Sequence, residues 1–460
     1  VFTIDDVRNA LGGCLNRERP GAVGEFTGVT NDSRVAKPGE LFVALTTPPG
    51  YALQVRDGHD FISDAVARGA TGVVLHNEKT HLPENVWGFV VDDTKHAIGE
   101  LGRAWRSRHD VGVVTIAGNV GKTTTKELTA AVLQGCGHTV LKSPKNFNDE
   151  IGLSMTLFQL NPTYDRAVVE VGMFELGEIR RLCQIAQPQI SVVLNVGPTH
   201  LERLGSLEAI AAAKFEAVQD LPSTACAILN ADDPWVAAMA AKTRARVLTF
   251  GTGAHADIRA SEFEGHGLAG VEFTLSGFGR AIRVTSPVPG PSLVSNALAA
   301  VAVAVAGGAS IEQAADALTH ARIQPKLQAK QAVSGATILD DSYNANPASM
   351  AAALEVLHEM PGRRYALLGD MLELGSEEVP GHRSVGEHAA RVVDTLFTVG
   401  PRGLQIATAA RAVGAQSVRH FDTRDEAIEA LRGNLGHGDV LLVKASLGLG
   451  LSTVVAELIG

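Results

Sequence analysis

The run Gly118-Asn119-Val120-Gly121-Lys122-Thr123-Thr124 has the residue types and spacing of a phosphate-binding loop. Backbone N–H groups in such a turn converge on phosphate oxygens, and a helix N-terminus behind it adds positive potential. Lys122 would neutralise charge on a transferring phosphoryl group. Thr123 would ligate Mg2+ through its hydroxyl. The loop has the shorter form G-x-x-G-K-T. Where the commoner G-x-x-x-x-G-K-[ST] pattern carries its first glycine, this chain has Ile116. A carboxylate ending a buried strand is the expected second metal ligand, and Glu170, closing Val168-Val169-Glu170, supplies one. Two further candidates are His200, a few residues past the run ending at Asn195, and Lys214 within Ala211-Ala-Ala-Lys-Phe-Glu216. Their residue types alone favour a loop histidine bonded to backbone and a solvated lysine.

Elements of definite kinds must hold these residues. Val111-Gly-Val-Val-Thr-Ile116, before the loop, is a continuous apolar run of the kind that forms a buried parallel strand, and a helix is predicted from Lys122 to about Gln134. Further strands are predicted at Ala167–Val171, Ile190–Asn195, Cys226–Leu229 and Val247–Phe250, with helical stretches between several of them. The alternation argues for a doubly wound parallel sheet. Residues 256–285 read as β-rich, and Ser295–Ala306 as an Ala-rich helix.

On either side lie two other segments. Residues 1–107 open with a helix from Asp5, followed by β-like runs at Glu40–Leu45 and Thr71–Leu75 around a Pro48-Pro49-Gly50 loop. They end in a helical stretch, Thr94–Arg108, that leads towards the next segment. Residues 323–460 hold strand candidates at Thr337–Leu339, Tyr365–Leu368, Thr395–Val399, Val418–Phe421 and Val440–Val443, a second, Rossmann-like unit. The expected architecture is therefore α/β in three domains, 1–107, 108–322 and 323–460. A length of 460 residues agrees with a multidomain chain.

The formal charge of −10 argues against non-specific nucleic-acid binding, which needs basic surface. Cys14, Cys136, Cys183 and Cys226 form no C-x-x-C pair and read as incidental thiols of a reducing compartment. No basic-then-apolar leader opens the sequence, and the apolar run Ala297–Ala306 is shorter than the roughly 20 residues a membrane span needs. A cytoplasmic protein without integral membrane contact, and a monomer, is the expectation.

Taken together, the G-x-x-G-K-T loop, Glu170, His200 and Lys214 resemble the Mur ligases, ATP-dependent amide-forming enzymes that build UDP-linked peptidoglycan precursors. Five further stretches strengthen the resemblance. They are Gly28-Val-Thr-Asn-Asp-Ser-Arg34 with Pro38-Gly-Glu-Leu-Phe42; Asp57-Gly-His-Asp-Phe61; Asn146-Phe-Asn-Asp-Glu-Ile-Gly152; Asp340-Asp-Ser-Tyr-Asn-Ala-Asn-Pro-Ala-Ser-Met350; and Gly369-Asp-Met-Leu-Glu-Leu-Gly375 with His382. These look like the member of the family that adds D-alanyl-D-alanine to UDP-N-acetylmuramoyl-tripeptide.

The resemblance implies that residues 1–107 bind the UDP substrate, the central domain ATP and Mg2+, and the third domain the dipeptide. It implies ATP contacts from Gly118 through Thr124, Asn296, Lys326 and Asp341, and substrate contacts from Ser33, Arg34, Asn146, Asn148, Asn344 and Asn346. Metal ligands would be Thr123, Glu170, His200 and Lys214, the last as a carbamate. Lys122, His200 and Lys214 would serve catalysis.

The chain departs from the family pattern at Ala117 (usually Thr), Pro325-Lys326 (Gly-Arg), Ser292-Leu293 (His-Asn) and Lys444-Ala445-Ser446-Leu447 (Lys-Gly-Ser-Arg). Those changes bear on the nucleotide grip and the C-terminal substrate contacts. The rival readings are a P-loop GTPase, which the missing N-K-x-D stretch opposes, a non-catalytic nucleotide-binding homologue, and a Mur-type ligase for another amino acid.

Overall fold

The computed structural model describes residues 1–12, 15–17, 24–46, 56–76, 80–198, 201–290, 293–323 and 327–460. The expectations on Cys14, the Pro48-Pro49-Gly50 loop, His200, Ser292, Pro325 and Lys326 lie outside the described residues. The chain falls into two compact units. The first comprises Val1–Thr115, Thr139–Gly172 and Glu178–Gln189; the second comprises Ile116–His138, Met173–Gly177 and Ile190–Gly460.

In the first unit, parallel strands Val29–Thr30, Leu41–Val43, Gly72–Leu75 and Trp87–Val90 lie side by side, with Leu15–Arg17 antiparallel at one edge. Gly72-Val-Val-Leu75 is apolar throughout because both of its faces are covered. Val73 and Leu75 pack on Ile62 and Ala65 of the helix Ile62–Ala67. Val74 packs on Ala97, Ile98 and Leu101 of the helix Thr94–Arg106.

That second helix starts on Asp93, whose carboxylate accepts from the N–H groups of Lys95 and His96, and ends on a buried arginine. The Arg106 guanidinium donates to the carbonyls of Ala186 (3.0 Å), His109 (2.8 Å) and Val111 (2.9 Å). Burial pushes its pKa down. Arg106 thereby fixes the helix end against the start of the strand Gly112–Ala117. The strands Val140–Lys142 and Arg166–Glu170 pair in parallel.

The second unit begins within the strand Gly112–Ala117. Strands Ile190–Val193, Cys226–Asn230, Arg246–Gly251 and Ile258–Gly265 follow in parallel succession. The β-rich stretch then turns antiparallel through Val271–Gly277 and Arg280–Ser286. Burial follows the change: Cys226–Asn230 is buried at every position, whereas Val271–Gly277 alternates, as a sheet with one covered face requires. Ala297–Ala306 belongs to the buried helix Val294–Ala306, packed on the helix Lys122–Gly135.

A further sheet in this unit runs, by neighbours, Gln328–Gln331, Thr337–Asp340, Val440–Lys444, Arg364–Gly369, Thr395–Val399 and Val418–Phe421. Only the first pairing is antiparallel. The α/β class, with a parallel central sheet and a C-terminal sheet domain, is as expected. The edge strand Gln328-Ala-Lys-Gln331 was not anticipated. It is polar and largely exposed, and so lacks the apolar pattern that marks a strand.

Candidate active site

The phosphate loop is built from both ends. The Ala117 carbonyl, ending its strand, accepts from Leu194 N–H at 3.0 Å. The Asn195 side chain then stitches the loop: its Oδ1 accepts from Asn119 N–H (3.0 Å) and Val120 N–H (2.9 Å), and its Nδ2 donates to the Val120 carbonyl (3.0 Å). Asn119 Nδ2 donates to the Gly197 carbonyl at 2.8 Å. The N–H groups of Asn119 and Val120, two of the expected ATP contacts, thus bond Asn195. Behind the loop starts the helix Lys122–Gly135, and the first N–H groups of a helix have no partner inside it. Its N-cap, Gly121, provides no side-chain cap. Thr123 and Thr124 are half-buried in its first turn, at the positive end of the helix dipole. Lys122 Nζ reaches back to the carbonyls of Gly118 (2.8 Å) and Asn119 (3.3 Å).

Asn296 lies under this loop. It is 3% exposed, and its Oδ1 accepts from Thr125 Oγ1 at 3.2 Å. A Cβ on Gly121 would stand 2.4 Å from the same oxygen, and Gly121 has φ +87°. Gly121→Ala therefore combines a clash with left-handed strain of on the order of 1–3 kcal/mol. Calorimetric titration of the variant with ATP is expected to show at least roughly tenfold weaker binding.

Lys214 sits in the helix Leu207–Gln219, which starts on Ser206. The expectation of a solvated lysine is wrong: its residue is 2% exposed, among alanines and aliphatic side chains of a helix that is apolar on most sides. Burial, and then the Lys122 charge, push its pKa well below the ordinary value; Glu216 opposes the shift. Glu216 Oε1 accepts from Gly177 N–H at 2.7 Å, tying this helix to the segment Met173–Gly177.

In the first unit, Glu170 ends its strand at 1% exposure, its N–H on Ser143 Oγ (3.3 Å). Asn148 is half-buried; its carbonyl accepts from Gly172 N–H at 2.8 Å, and a Cβ on Gly172 would lie 2.9 Å from its side chain. Asn146 is exposed. Glu150, next in this segment, bonds Arg181, which also bonds Glu100. Ser33 is buried in a short turn. Arg34 is exposed, its fork closed on Asp32 at 2.8 and 2.7 Å.

The C-terminal sheet brings three motif loops to the carboxyl ends of three neighbouring strands, Thr337–Asp340, Val440–Lys444 and Arg364–Gly369. Asn344 is exposed. Asn346 is buried and caps the helix Pro347–Glu359 through Ser349 N–H. Asp341 Oδ2 and the Asn344 carbonyl both accept from Lys444 Nζ. Ser446 Oγ accepts from Leu372 N–H, and Ser446 N–H donates to the Asp370 carbonyl. The Lys-x-Ser part of the departing C-terminal stretch thus braces loops, while Leu447, where the family usually has arginine, is exposed.

His382 is fully buried. Its Nε2 accepts from Met371 N–H (3.0 Å), and its Nδ1 donates to the Glu378 carbonyl (2.6 Å). A proton on Nε2 would face a donor, and burial lowers the imidazole pKa. The neutral form is favoured in the fold, so its contribution is complete above the unfolded value of about 6.5 and is lost as pH falls from there through the folded pKa. Urea midpoints measured from pH 7.5 to 5 are expected to fall more steeply for the wild type than for His382→Gln.

Among the described residues, no three His, Cys, Asp or Glu side chains gather as a metal site. His200 and Lys326 lie outside those residues. Sequence reading missed Asn195 as the loop brace. Its signal was a polar residue just past the buried strand Ile190–Val193.

Profiles of known families match most of the chain: "Mur ligase middle domain" over residues 116–304 and "Mur ligase, glutamate ligase domain" over residues 322–447. The UDP-N-acetylmuramoyl-tripeptide–D-alanyl-D-alanine ligase of Escherichia coli (strain K12) is 37% identical over 453 residues, covering 96% of each chain. The enzyme of that name from Bacillus subtilis (strain 168) is 33% identical over 94% of this chain and 93% of its own. A crystal structure of MurF from Acinetobacter baumannii superposes with a TM-score of 0.87 at 29% identity, over 100% of this chain and 98% of the other. MurF ligase from Thermotoga maritima, in complex with ADP, gives 0.81 at 26% identity, over 94% of this chain and 96% of that one.

Proposed function

The chain belongs to the Mur ligase family, and we propose that it joins D-alanyl-D-alanine to UDP-N-acetylmuramoyl-tripeptide with ATP as the activating substrate. A carboxylate is a poor electrophile, because attack pushes charge onto an anion. Transfer of the ATP γ-phosphoryl to the tripeptide carboxylate gives an acyl phosphate and ADP. The dipeptide amine then attacks the acyl carbon, an amide forms, and inorganic phosphate leaves. The protein's work is positioning and charge stabilisation.

The geometric observation that carries the nucleotide half is a helix start at Gly121–Thr124, with glycine at its N-cap, beneath a loop braced by Asn195. Near-full-length likeness to ligases of this name supports the acceptor half. In this reading Gly118–Thr124, Asn296, Lys326 and Asp341 serve ATP; Ser33, Arg34, Asn146 and Asn148 serve the UDP-linked substrate; and Asn344 and Asn346 serve the dipeptide. Asn346 works from its capping position. Mg2+, when bound, supplies charge screening between phosphate and carboxylate oxygens. Thr123, Glu170, His200 and a carbamylated Lys214 would hold it, an oxygen-rich set that suits the ion. A neutral Lys214 amine can add CO2, losing a proton to give that carbamate. We also propose the division into domains at 1–107, 108–322 and 323–460, and a monomer working in the cytoplasm, where ATP is made.

The test is a mass-resolved product assay with tripeptide substrate, ATP and Mg2+, offering D-alanyl-D-alanine beside single amino acids. A pentapeptide formed only with the dipeptide is expected. Addition of a single amino acid instead would move the protein to another branch of the family.

A further inference from the structure

We infer that Lys444 is a positioning residue that couples the nucleotide side of the active site to its dipeptide side. The inference rests on the roles proposed above for Asp341 and Asn344. Lys444 ends the strand Val440–Lys444, between the strands Thr337–Asp340 and Arg364–Gly369, and is 1% exposed. From there its ammonium donates to Asp341 Oδ2 (2.5 Å) and to the Asn344 carbonyl (2.8 Å). One buried cation therefore holds the carboxylate assigned to the nucleotide and the backbone of the residue assigned to the dipeptide. Charge-assisted bonds of this kind are strong and geometrically demanding. At its start this segment is also held by Asp341 N–H on the Val443 carbonyl (3.0 Å) and by Ser342, whose N–H and Oγ donate to Asp340 Oδ1. Further along, Tyr343 is exposed, Asn344 Oδ1 accepts from the neighbouring Ala345 N–H, and the Asn344 backbone is fastened by Lys444.

The fold anchors this ammonium from its other end. Two residues on, Ser446 accepts from Leu372 N–H and donates to the Asp370 carbonyl, so the strand end bearing Lys444 is itself fastened to the loop that follows Arg364–Gly369. Asp370 Oδ1 in turn accepts from Arg402 and Gly403 N–H, at 2.9 and 2.8 Å. Lys444 thus transmits the position of a rigid strand to a segment that must meet two substrates. Loss of its ammonium releases both contacts at once, so both substrates should register the change.

The experiment measures steady-state kinetics and melting temperature for Lys444→Met, Asp341→Asn and the double variant Asp341→Asn/Lys444→Met. Lys444→Met is expected to raise the KM for ATP and the KM for D-alanyl-D-alanine together, each by roughly tenfold or more, with the KM for the UDP-linked substrate little changed. An increase confined to one substrate, or none, overturns the inference. Should Lys444→Met leave Asp341 buried without its cation and fail to fold, the double variant decides, because both charges are gone. Its KM for D-alanyl-D-alanine is expected to exceed that of Asp341→Asn alone, the bond to the Asn344 carbonyl being lost. Equal values overturn the inference. A wild-type protein that forms no product with the dipeptide would instead remove the functional reading on which the roles of Asp341 and Asn344 rest.

Discussion

Lys122→Ala is expected to lower kcat by roughly a thousandfold or more while leaving the fold intact, because its ammonium is the positive charge that the loop itself carries. In the structure Nζ rests on the carbonyls of Gly118 and Asn119, so it lies over the loop and within reach of any phosphate seated on the helix start. Those two bonds are to half-buried loop carbonyls, and their removal leaves the brace from Asn195 untouched. The charge matters most as phosphoryl transfer proceeds, and so the loss should appear chiefly in kcat. Stopped phosphate release with unchanged melting temperature and unchanged KM for D-alanyl-D-alanine is the expected pattern. A variant retaining more than about a tenth of wild-type turnover would show that Lys122 does not stabilise the transfer.

Lys214→Arg is expected to be as damaging as Lys214→Ala, with turnover falling by about two to three orders of magnitude in each. Burial, and then the neighbouring Lys122 charge, push the Lys214 pKa well below its ordinary value and so enlarge the share of neutral amine. A neutral amine is nucleophilic and can take up CO2, whereas a guanidinium stays protonated and cannot. The conservative replacement should therefore fail where a purely electrostatic lysine would tolerate it. Carbon-13 NMR of protein equilibrated with labelled bicarbonate is expected to show one carbamate resonance that is absent from both variants. Full activity in Lys214→Arg, or no such resonance in an active wild type, would remove the carbamate from the account.

The parts of this site that could be read from sequence are those in which geometry demands particular residue types at fixed spacing. Gly121 must accept a positive φ and leave room for Asn296; Lys122 and Thr123 must follow it; and a buried, largely apolar run must precede. Buried parallel strands were legible for a related reason, since cover on both faces removes polar positions. Asn195 was not, because nothing local says that a polar residue at a strand end will turn back onto a distant loop. The solvated reading of Lys214 failed because side-chain type was weighed above its surroundings. Ile210-Ala-Ala-Ala-Lys-Phe-Glu-Ala217 is small and apolar nearly all round, and such a helix is buried. The Lys444 clamp was hidden for another reason: it joins the ends of two strands that are neighbours only through the parallel order of the sheet.

The central claim is that ATP cleavage and amide formation are linked by a mixed anhydride. It is tested most directly by preparing UDP-N-acetylmuramoyl-tripeptide with oxygen-18 in the carboxylate that is to be joined. The phosphate released with ATP and D-alanyl-D-alanine is then analysed by mass. The account predicts one heavy oxygen carried from substrate into each phosphate formed. Unlabelled phosphate accompanying full product formation would contradict it.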